Sequence, residues 1–423
     1  MIFKNSRLLL KRRNDKLHWY IIKRILIAIT KSPQVKNYNG GEMECEMKRI
    51  ISVLLSVLLC TLLLTGCGQS DAWNPLKSDK ELNIAVLGSS TEFEERQDFL
   101  AGVDLAIAEL AQEGITIKYK LFDDDGSYDN GITNAQQVAT DEKFQMAFTF
   151  QSFEIVDTIA TLFNDAKKPL FIIDGCYDKT MNAGYEYVFN MTISAEDAGN
   201  ALGQYAIKKG YKWIAVAHSN SEYSLNFQEG FNDAVSGNGV STIIDLVSGP
   251  NKQSEFDEVW NRWKVLGVQA VVLSFDDMDW AVELVKLIKE RDPNMKILAD
   301  AYFNDLSYMN DYGKYLEGMI MPSSYPVDSN EKLQRFYDEN ESKITYLDIT
   351  SISAQGFDLI KMIASNLKEV TTAKEFVESM MNEKGYNGVT QIKFKQSGKL
   401  DKTPKYWVIK NGKVWREENE NAK

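Results

Sequence analysis

The sequence predicts an α/β protein with two doubly wound parallel-sheet lobes. Short apolar runs alternate with segments of helical periodicity from residue 83 to residue 299, a pattern typical of parallel strands joined by right-handed helical crossovers. The alternation forms two series, one that ends at residue 173 and one that begins at residue 194. A chain of 423 residues is also longer than one ordinary hydrophobic core accommodates. These observations together favour two lobes over one.

The first series begins with a strand that we expect to be buried on both faces. Residues Asn83–Leu87 are almost continuously apolar, as in strands that are covered by helices on both sides. Further strands are predicted at 115–122, 146–150 and 170–173. Helices are predicted after a capping-box spacing at residues 91–94, then at 132–140 and 155–166.

The second series repeats this alternation, and the C-terminal region departs from it. The second series has predicted helices at 194–209, 225–235, 256–266 and 280–291 and strands at 213–217, 241–247, 270–274 and 296–299. The C-terminal region has predicted strands at 318–321, 391–394, 406–409 and 414–416 and helices at 330–340, 353–367 and 372–383. Its last two strands flank Asn411-Gly412, the strongest short-range signal for a β-hairpin.

The stretch Leu64-Thr65-Gly66-Cys67 ends a segment that is typical of an export signal. A basic pair, Lys48 and Arg49, precedes an apolar run that ends in small residues, which is the pattern of secretory signals. The run is shorter than the roughly 20 residues that a membrane-spanning helix needs. The stretch resembles the bacterial lipoprotein signal, which implies cleavage before Cys67 and acylation of that cysteine. A non-cleaved N-terminal anchor is the alternative.

This signal divides the N-terminal region into three parts. We expect residues 1–46 to be untranslated or disordered, with a start at Met43 or Met47, residues 47–66 to be the signal peptide, and residues 67–80 to be a polar tether. The lipid on Cys67 would hold the protein on the extracytoplasmic face of the cell membrane. Because Cys176 is then the one cysteine left in the folded part, no intrachain disulfide is expected.

Charge and motifs exclude several classes of function. The chain has a net charge of −12, and its first 66 residues hold 12 basic and 4 acidic residues, so the remainder is more acidic still. Such a body is repelled by nucleic acid and by anionic lipid. Metalloprotease, nucleophile-elbow, P-loop and dinucleotide-binding motifs are absent from the sequence. We therefore expect neither an enzyme nor a cofactor, and we interpret Asp123-Asp124-Asp125 as the polar end of a strand rather than a metal site.

Six stretches, in order along the chain, resemble one family. They are Phe99–Ile107, Leu121–Asp125, Lys167–Ile172, Tyr185–Met191, Tyr386–Thr390 and Ile392–Gly398. Each is weak alone, but in this order, behind a lipoprotein signal, they are similar to the type 1 periplasmic binding proteins, in the branch that serves branched-chain amino-acid ABC transporters. The resemblance covers residues 82–416.

The resemblance implies a clamp made of two lobes that the chain crosses between three times. One lobe would be 81–192 with 322–386, and the other 193–321 with 387–423. A small polar ligand, most readily an amino acid or a related amine or amide, would lie between them and be delivered to an ABC permease by a monomer. A ligand-sensing subunit that presents itself to a membrane signalling partner is the alternative.

The loops after the strands of the first lobe supply most of the candidate ligand contacts. Ser89 and Ser90 precede a helix, where hydroxyls and backbone N–H groups favour an anion; ordinary helix capping is the alternative. Further contacts in this lobe are expected from Phe93, Gln151, Ser152, Asp174 and Tyr177. The resemblance places a carboxylate-gripping hydroxyl near Ser152.

The second lobe supplies aromatic faces and an acid. The resemblance matches Tyr223 to a tyrosine that covers the ligand and places an acid for a ligand ammonium near Asp276. A carboxylate in a closed cleft costs free energy unless it is paired, so a cationic group would satisfy it. The remaining candidates are the aromatic residues Trp280 and Tyr302 of this lobe and Tyr325, which follows the crossing back to the first lobe. Their faces suit an organic cation or a stacked ring.

Overall fold

The computed structural model describes most of the chain after residue 80. The described residues are 73, 81–151, 153–247, 253–275, 277–300, 303, 306–323, 331–343, 350–382 and 384–417. The predicted signal peptide, Cys67 and nearly all of the predicted tether lie outside them. Residues 71–423 form one compact unit with hydrophobic cores of its own. None of the helices in the described part has the length and apolar character to cross a membrane.

The first lobe is built on a five-stranded parallel sheet. Its strands, in the spatial order β2-β1-β3-β4-β5, are β1 Leu82–Gly88, β2 Ile117–Asp123, β3 Met146–Thr149, β4 Leu170–Ile172 and β5 Val188–Asn190. The helices between them are α1 Ser90–Glu95, α2 Gln97–Gln112, α3 Tyr128–Thr140, α4 Phe153–Asp165 and α5 Asp178–Asn182. Aromatic side chains fill one face of this sheet, where Phe99 meets Phe148 and Phe150 edge to face.

The second lobe is built on a seven-stranded sheet that is parallel except at one edge. Its order is β12-β11-β10-β9-β8-β6-β7, with β6 Trp213–His218, β7 Ser241–Leu246, β8 Ala270–Ser274, β9 Lys296–Ala299, β10 Ile320–Ser323, β11 Lys405–Lys410 and β12 Lys413–Arg416. The helices of this series are α6 Ala195–Lys209, α7 Glu222–Val235, α8 Gln253–Leu266, α9 Met278–Arg291 and α10 Leu306–Leu316. Strands β11 and β12 are antiparallel to their neighbours.

The chain then returns to the first lobe through three helices, α11 Glu331–Asn340, α12 Ser351–Leu367 and α13 Ala373–Met380. Leu359 and Ile363 of α12 and Phe376 of α13 lie in the same hydrophobic core as the strands of the first sheet. The first lobe is therefore assembled from two separate parts of the chain.

The predicted fold class is confirmed, and so is the C-terminal hairpin. Strands β11 and β12 pair through Asn411 and Gly412, whose φ angles are 54° and 69°, as a two-residue type I′ turn requires. Helices α5 and α10 are additional to those predicted from the sequence.

Two local predictions differ from the structure. The capping box lies at Ser89 and Glu92, not at 91–94, because the helix begins directly after β1. Residues 391–394 form no strand; Ile392 and Phe394 make isolated bridges with Tyr386 and Leu400.

The segment 386–400 packs on the first lobe. Ile392, Phe394 and Leu400 belong to the core of the first sheet, and Lys399 bridges to Asn190 at the end of β5. The resemblance implies that residues from 387 onward belong to the second lobe, whereas the structure places the last crossing between Leu400 and the start of β11 at Lys405.

Candidate functional site

An ion pair joins two helix N-termini that follow strands of different lobes. Helix α5 begins shortly after β4 of the first sheet, and α7 begins shortly after β6 of the second. The ammonium of Lys179 on α5 pairs with the carboxylate of Glu222 on α7 and lies 3.1 Å from Asp157. The carboxyl ends of the two sheets therefore lie next to each other, which is where doubly wound sheets bind ligands.

At the end of β1, the chain's own carboxylates occupy the helix N-terminus. The backbone N–H of Ser89 donates to Glu92 Oε2 at 2.7 Å, and the N–H of Ser90 donates to Asp123 Oδ1 at 3.1 Å. The side chain of Ser89 caps the helix by accepting from the N–H of Glu92. Burial raises the pKa of Glu92, against the hydrogen bonds from Ser89. Both serines therefore take part in ordinary helix capping, which is the alternative that the sequence left open.

Two further candidates of the first lobe are buried and have partners within the protein. Phe93 lies in the core and meets Phe150 with a ring-centroid distance of 6.2 Å. Gln151 is 1% exposed, and its Nε2 donates to Asp124 Oδ2 at 2.6 Å. This hydrogen bond ties the end of β3 to the end of β2. Ser152 lies outside the described residues.

Asp174, after β4, is paired with an arginine that the sequence analysis did not select. Arg96, between α1 and α2, donates its Nε–H to Asp174, and the two side chains are 21% and 20% exposed. Burial raises the pKa of Asp174, and the Arg96 guanidinium opposes that shift. This pair brings a positive and a negative group to the same strand end, where both remain partly accessible.

Tyr177 and Tyr223 lie beside the ion pair between the lobes. Tyr177 is the residue before α5 and is 3% exposed, with the Lys179 ammonium 4.7 Å from its ring centroid. Tyr223 is the second residue of α7 and is 9% exposed; its hydroxyl donates to Asp300 after β9. The structure thus brings these two predicted contacts to the same side of the molecule.

The other candidates of the second lobe do not all share this position. Trp280 is 7% exposed, lies in the core of the second lobe and donates its indole N–H to Val247 O at 3.2 Å. Asp276, Tyr302 and Tyr325 lie outside the described residues.

Sequence reasoning missed Arg96 and Lys179, whose partners are distant along the chain. A lone arginine between two helical segments and a lysine at a helix start are common surface features, so neither is a signal by itself. In the part of the chain that the structure describes, no three His, Cys, Asp or Glu residues are grouped to hold a metal ion. The arrangement offers charged and aromatic groups suited to hydrogen bonding and ion pairing.

Comparison with protein families matches residues 85–407 to the model described as periplasmic binding protein. That match spans well over half of the sequence. The chain belongs to this family. Because the family is one of binding proteins, its membership agrees with the expectation that the chain is not an enzyme. A search of curated proteins finds no match.

Solved structures of similar fold come from several bacteria. An ABC transporter substrate-binding protein from Desulfitobacterium hafniense in complex with Leu has a TM-score of 0.69 and 16% identity, over 80% of this chain and 100% of that one. The branched-chain amino-acid binding protein LivJ from Streptococcus pneumoniae, in complex with isoleucine, has a TM-score of 0.66 and 18% identity, over 79% and 98%. A solute-binding protein from R. palustris in complex with 4-hydroxybenzoate has a TM-score of 0.67 and 16% identity, over 81% and 96%.

Proposed function

We propose that this protein is a solute-binding component of an ABC transporter. It would capture a small polar solute between its lobes and deliver it to a membrane permease without chemical change. The observation that carries the proposal is the Lys179–Glu222 ion pair, which sets the strand ends of the two sheets against each other. Closure of the lobes on a solute would then be a shift between open and closed populations.

The solute that best fits the site is an amino acid or a related amine or amide. The aromatic rings of Tyr177 and Tyr223 lie beside the contact between the lobes, the Arg96–Asp174 pair provides both signs of charge, and Asp276 is proposed to pair with a ligand ammonium. The similar structures hold leucine, isoleucine and 4-hydroxybenzoate, which supports a small organic solute that carries a carboxylate.

A thermal-shift screen of the compact unit 71–423 tests this proposal. Amino acids, amines and hydroxybenzoates would each be added in the millimolar range. A solute at about 100 times its Kd stabilises the folded state by about 2.7 kcal/mol, so the true solute should raise Tm by several degrees. If every member of the three classes leaves Tm unchanged, the proposed solute class is wrong.

Tyr223→Phe localises the binding of a solute found in this way. This change removes the hydroxyl that donates to Asp300 and keeps the ring. We expect a Kd about tenfold weaker by calorimetry, about the free energy of one hydrogen bond. Tyr128→Phe is the matched control, because Tyr128 is 48% exposed and bonds to Thr158 on α4. If the two variants bind the solute with equal affinity, Tyr223 is not part of the solute site.

We also propose that Cys67 carries a lipid that anchors the protein outside the cytoplasm. The supporting observation is the Leu64-Thr65-Gly66-Cys67 stretch behind a basic and apolar segment. Metabolic labelling of expressing bacteria with an alkyne-tagged fatty acid should label the wild type, whereas Cys67→Ser should lose the label. A Cys67→Ser protein that is labelled like the wild type would contradict the proposed anchor.

A further inference from the structure

The first turn of α5 contacts two helices of the second lobe, and the two contacts differ in kind. Lys179 pairs with Glu222 at the start of α7, an attractive contact. Its neighbour Asp178 lines one cavity with Glu196 of the first turn of α6, and a hydrogen bond between the two carboxyl groups acts on the pKa of both. Both contacts join the first lobe to the second. The acid–acid contact lies directly beside the crossing at residues 191–194, where the chain passes from β5 to α6.

The surroundings of Glu196 are strongly acidic. A cavity of about 240 Å³ beside it is lined by Asp178 of α5, by Asp197 and Asn200 of α6, and by Glu229, Gly230 and Asp233 of α7. Lys399, in the segment that packs on β5, pairs with Asp178. This ammonium acts on Asp178 and Glu196, and the charge of Glu229 also acts on Glu196. One positive charge cannot neutralise three carboxylates.

The simplest way to hold two carboxyl groups in contact is to leave a proton between them. Burial, the hydrogen bond to Asp178 and the Asp178 charge raise the pKa of Glu196 to about 8. Burial also acts to raise the pKa of Asp178, but the hydrogen bonds with Glu196 and Lys399 outweigh it and the pKa is lowered. The two carboxyl groups therefore share one proton.

We propose that the proton held between Glu196 and Asp178 keeps the two lobes in contact at α5, and that its loss lets them separate. Without the proton, two negative charges face each other beside the hinge, and Glu229 adds a third. Separation of α5 from α6 would also weaken the neighbouring Lys179–Glu222 pair. This inference goes beyond solute binding, since it concerns the lobes in the absence of any solute.

The sign of the pH dependence follows from proton linkage. In the separated state Glu196 returns towards the ordinary carboxyl pKa, so the lobe-contact state binds the extra proton. The contact state is therefore favoured at low pH, and its population decreases as pH rises towards 8. The ratio of contact to separated molecules falls by up to about tenfold per pH unit, and it becomes constant above that range.

Small-angle X-ray scattering of the unit 71–423 between pH 6 and pH 9.5 tests the proposal without a solute. Wild type should show a radius of gyration that increases with pH and reaches a plateau above about pH 8.5. Glu196→Gln keeps a hydrogen-bond donor towards Asp178 and cannot lose a proton, so its radius should stay constant. Asp197→Asn is the matched control, because it removes one exposed negative charge from the same cavity; it should behave like wild type.

Three results would overturn the proposal. A wild-type radius that does not change with pH shows that no proton controls the lobes. A transition that persists in Glu196→Gln assigns the effect to another group. A transition that Asp197→Asn abolishes as fully as Glu196→Gln shows a general charge effect and not a shared proton. None of these results bears on whether a solute binds.

Discussion

In each lobe a pair of helices packs closely, and in both pairs glycine residues allow the close approach. In the first lobe, α2 packs on α12; a Cβ atom at Gly102 would lie 1.8 Å from Ser353 O, and one at Gly356 would lie 2.3 Å from Phe99 O. In the second lobe, α6 packs on α7; the corresponding distances are 1.9 Å from Gly199 to Phe227 O and 2.1 Å from Gly230 to Glu196 O. Reciprocal glycines let the backbones touch in both.

The two pairs differ in how the chain connects them. Only β6 separates α6 from α7, whereas most of both lobes lies between α2 and α12 in the chain. Thr350, the residue before α12, adds a contact that ties the distant segments: its hydroxyl donates to Asp98 in the first turn of α2 at 2.7 Å. The first lobe is therefore closed by long-range contacts and the second by local ones, so the same packing defect should have different consequences in each.

The largest effect should come from filling a glycine contact. Gly102→Val and Gly199→Val each place a side chain against backbone atoms less than 2 Å away, and we expect each to lower the free energy of unfolding by about 3 kcal/mol or more. Limited proteolysis should distinguish the two variants. Gly102→Val should make the segment 350–382 accessible to protease, while Gly199→Val should leave it protected. Denaturant unfolding and digestion with mass spectrometry measure the two effects.

Gly313→Ala in α10 is the control for glycine replacement. A Cβ atom there meets nothing within 4 Å, so the change should be neutral or stabilising by up to about 1 kcal/mol. If Gly102→Val exposes 350–382 no more than Gly199→Val does, the contrast between the two helix pairs is refuted.

A smaller effect should come from removing the helix caps. Thr350→Ala removes the cap of α12 and the hydrogen bond to Asp98, and we expect a loss of about 2 kcal/mol. Ser221→Ala removes the cap of α7, whose side chain accepts from the N–H of Ser224, and should cost about 1 kcal/mol. Thermal and denaturant unfolding of the two variants give the difference.

The pH dependence of these two losses sharpens the comparison. Burial raises the pKa of Asp98, and the hydrogen bond from Thr350 opposes that shift. Without Thr350 the pKa should rise further, and an acid with a raised pKa in the folded state gains stability as pH falls through that value. The deficit of Thr350→Ala should therefore shrink between pH 7 and pH 5, while that of Ser221→Ala stays constant. Parallel losses at both pH values would rule out this role of Asp98.

The sequence was most informative where one segment carries its own signal. The run Asn83–Leu87 falls within β1, the helix from Ser194 to Lys209 begins and ends as expected, and Asn411-Gly412 makes the hairpin. It was least informative about the side chains of the candidate site. Trp280 has the aromatic character expected of a solute contact, yet its indole is buried in the core of the second lobe.

The sequence by itself determined the α/β class, the two series of elements and the family, because apolar periodicity and turn residues act over a few neighbouring positions. Only the tertiary structure decided that α12 closes the first lobe, that residues 392–400 pack there, and that Lys179 meets Glu222 and Asp178 meets Glu196. These contacts join residues far apart in the chain. They depend on how closely backbones approach and on which charges become buried together, and neither property is present in a local pattern.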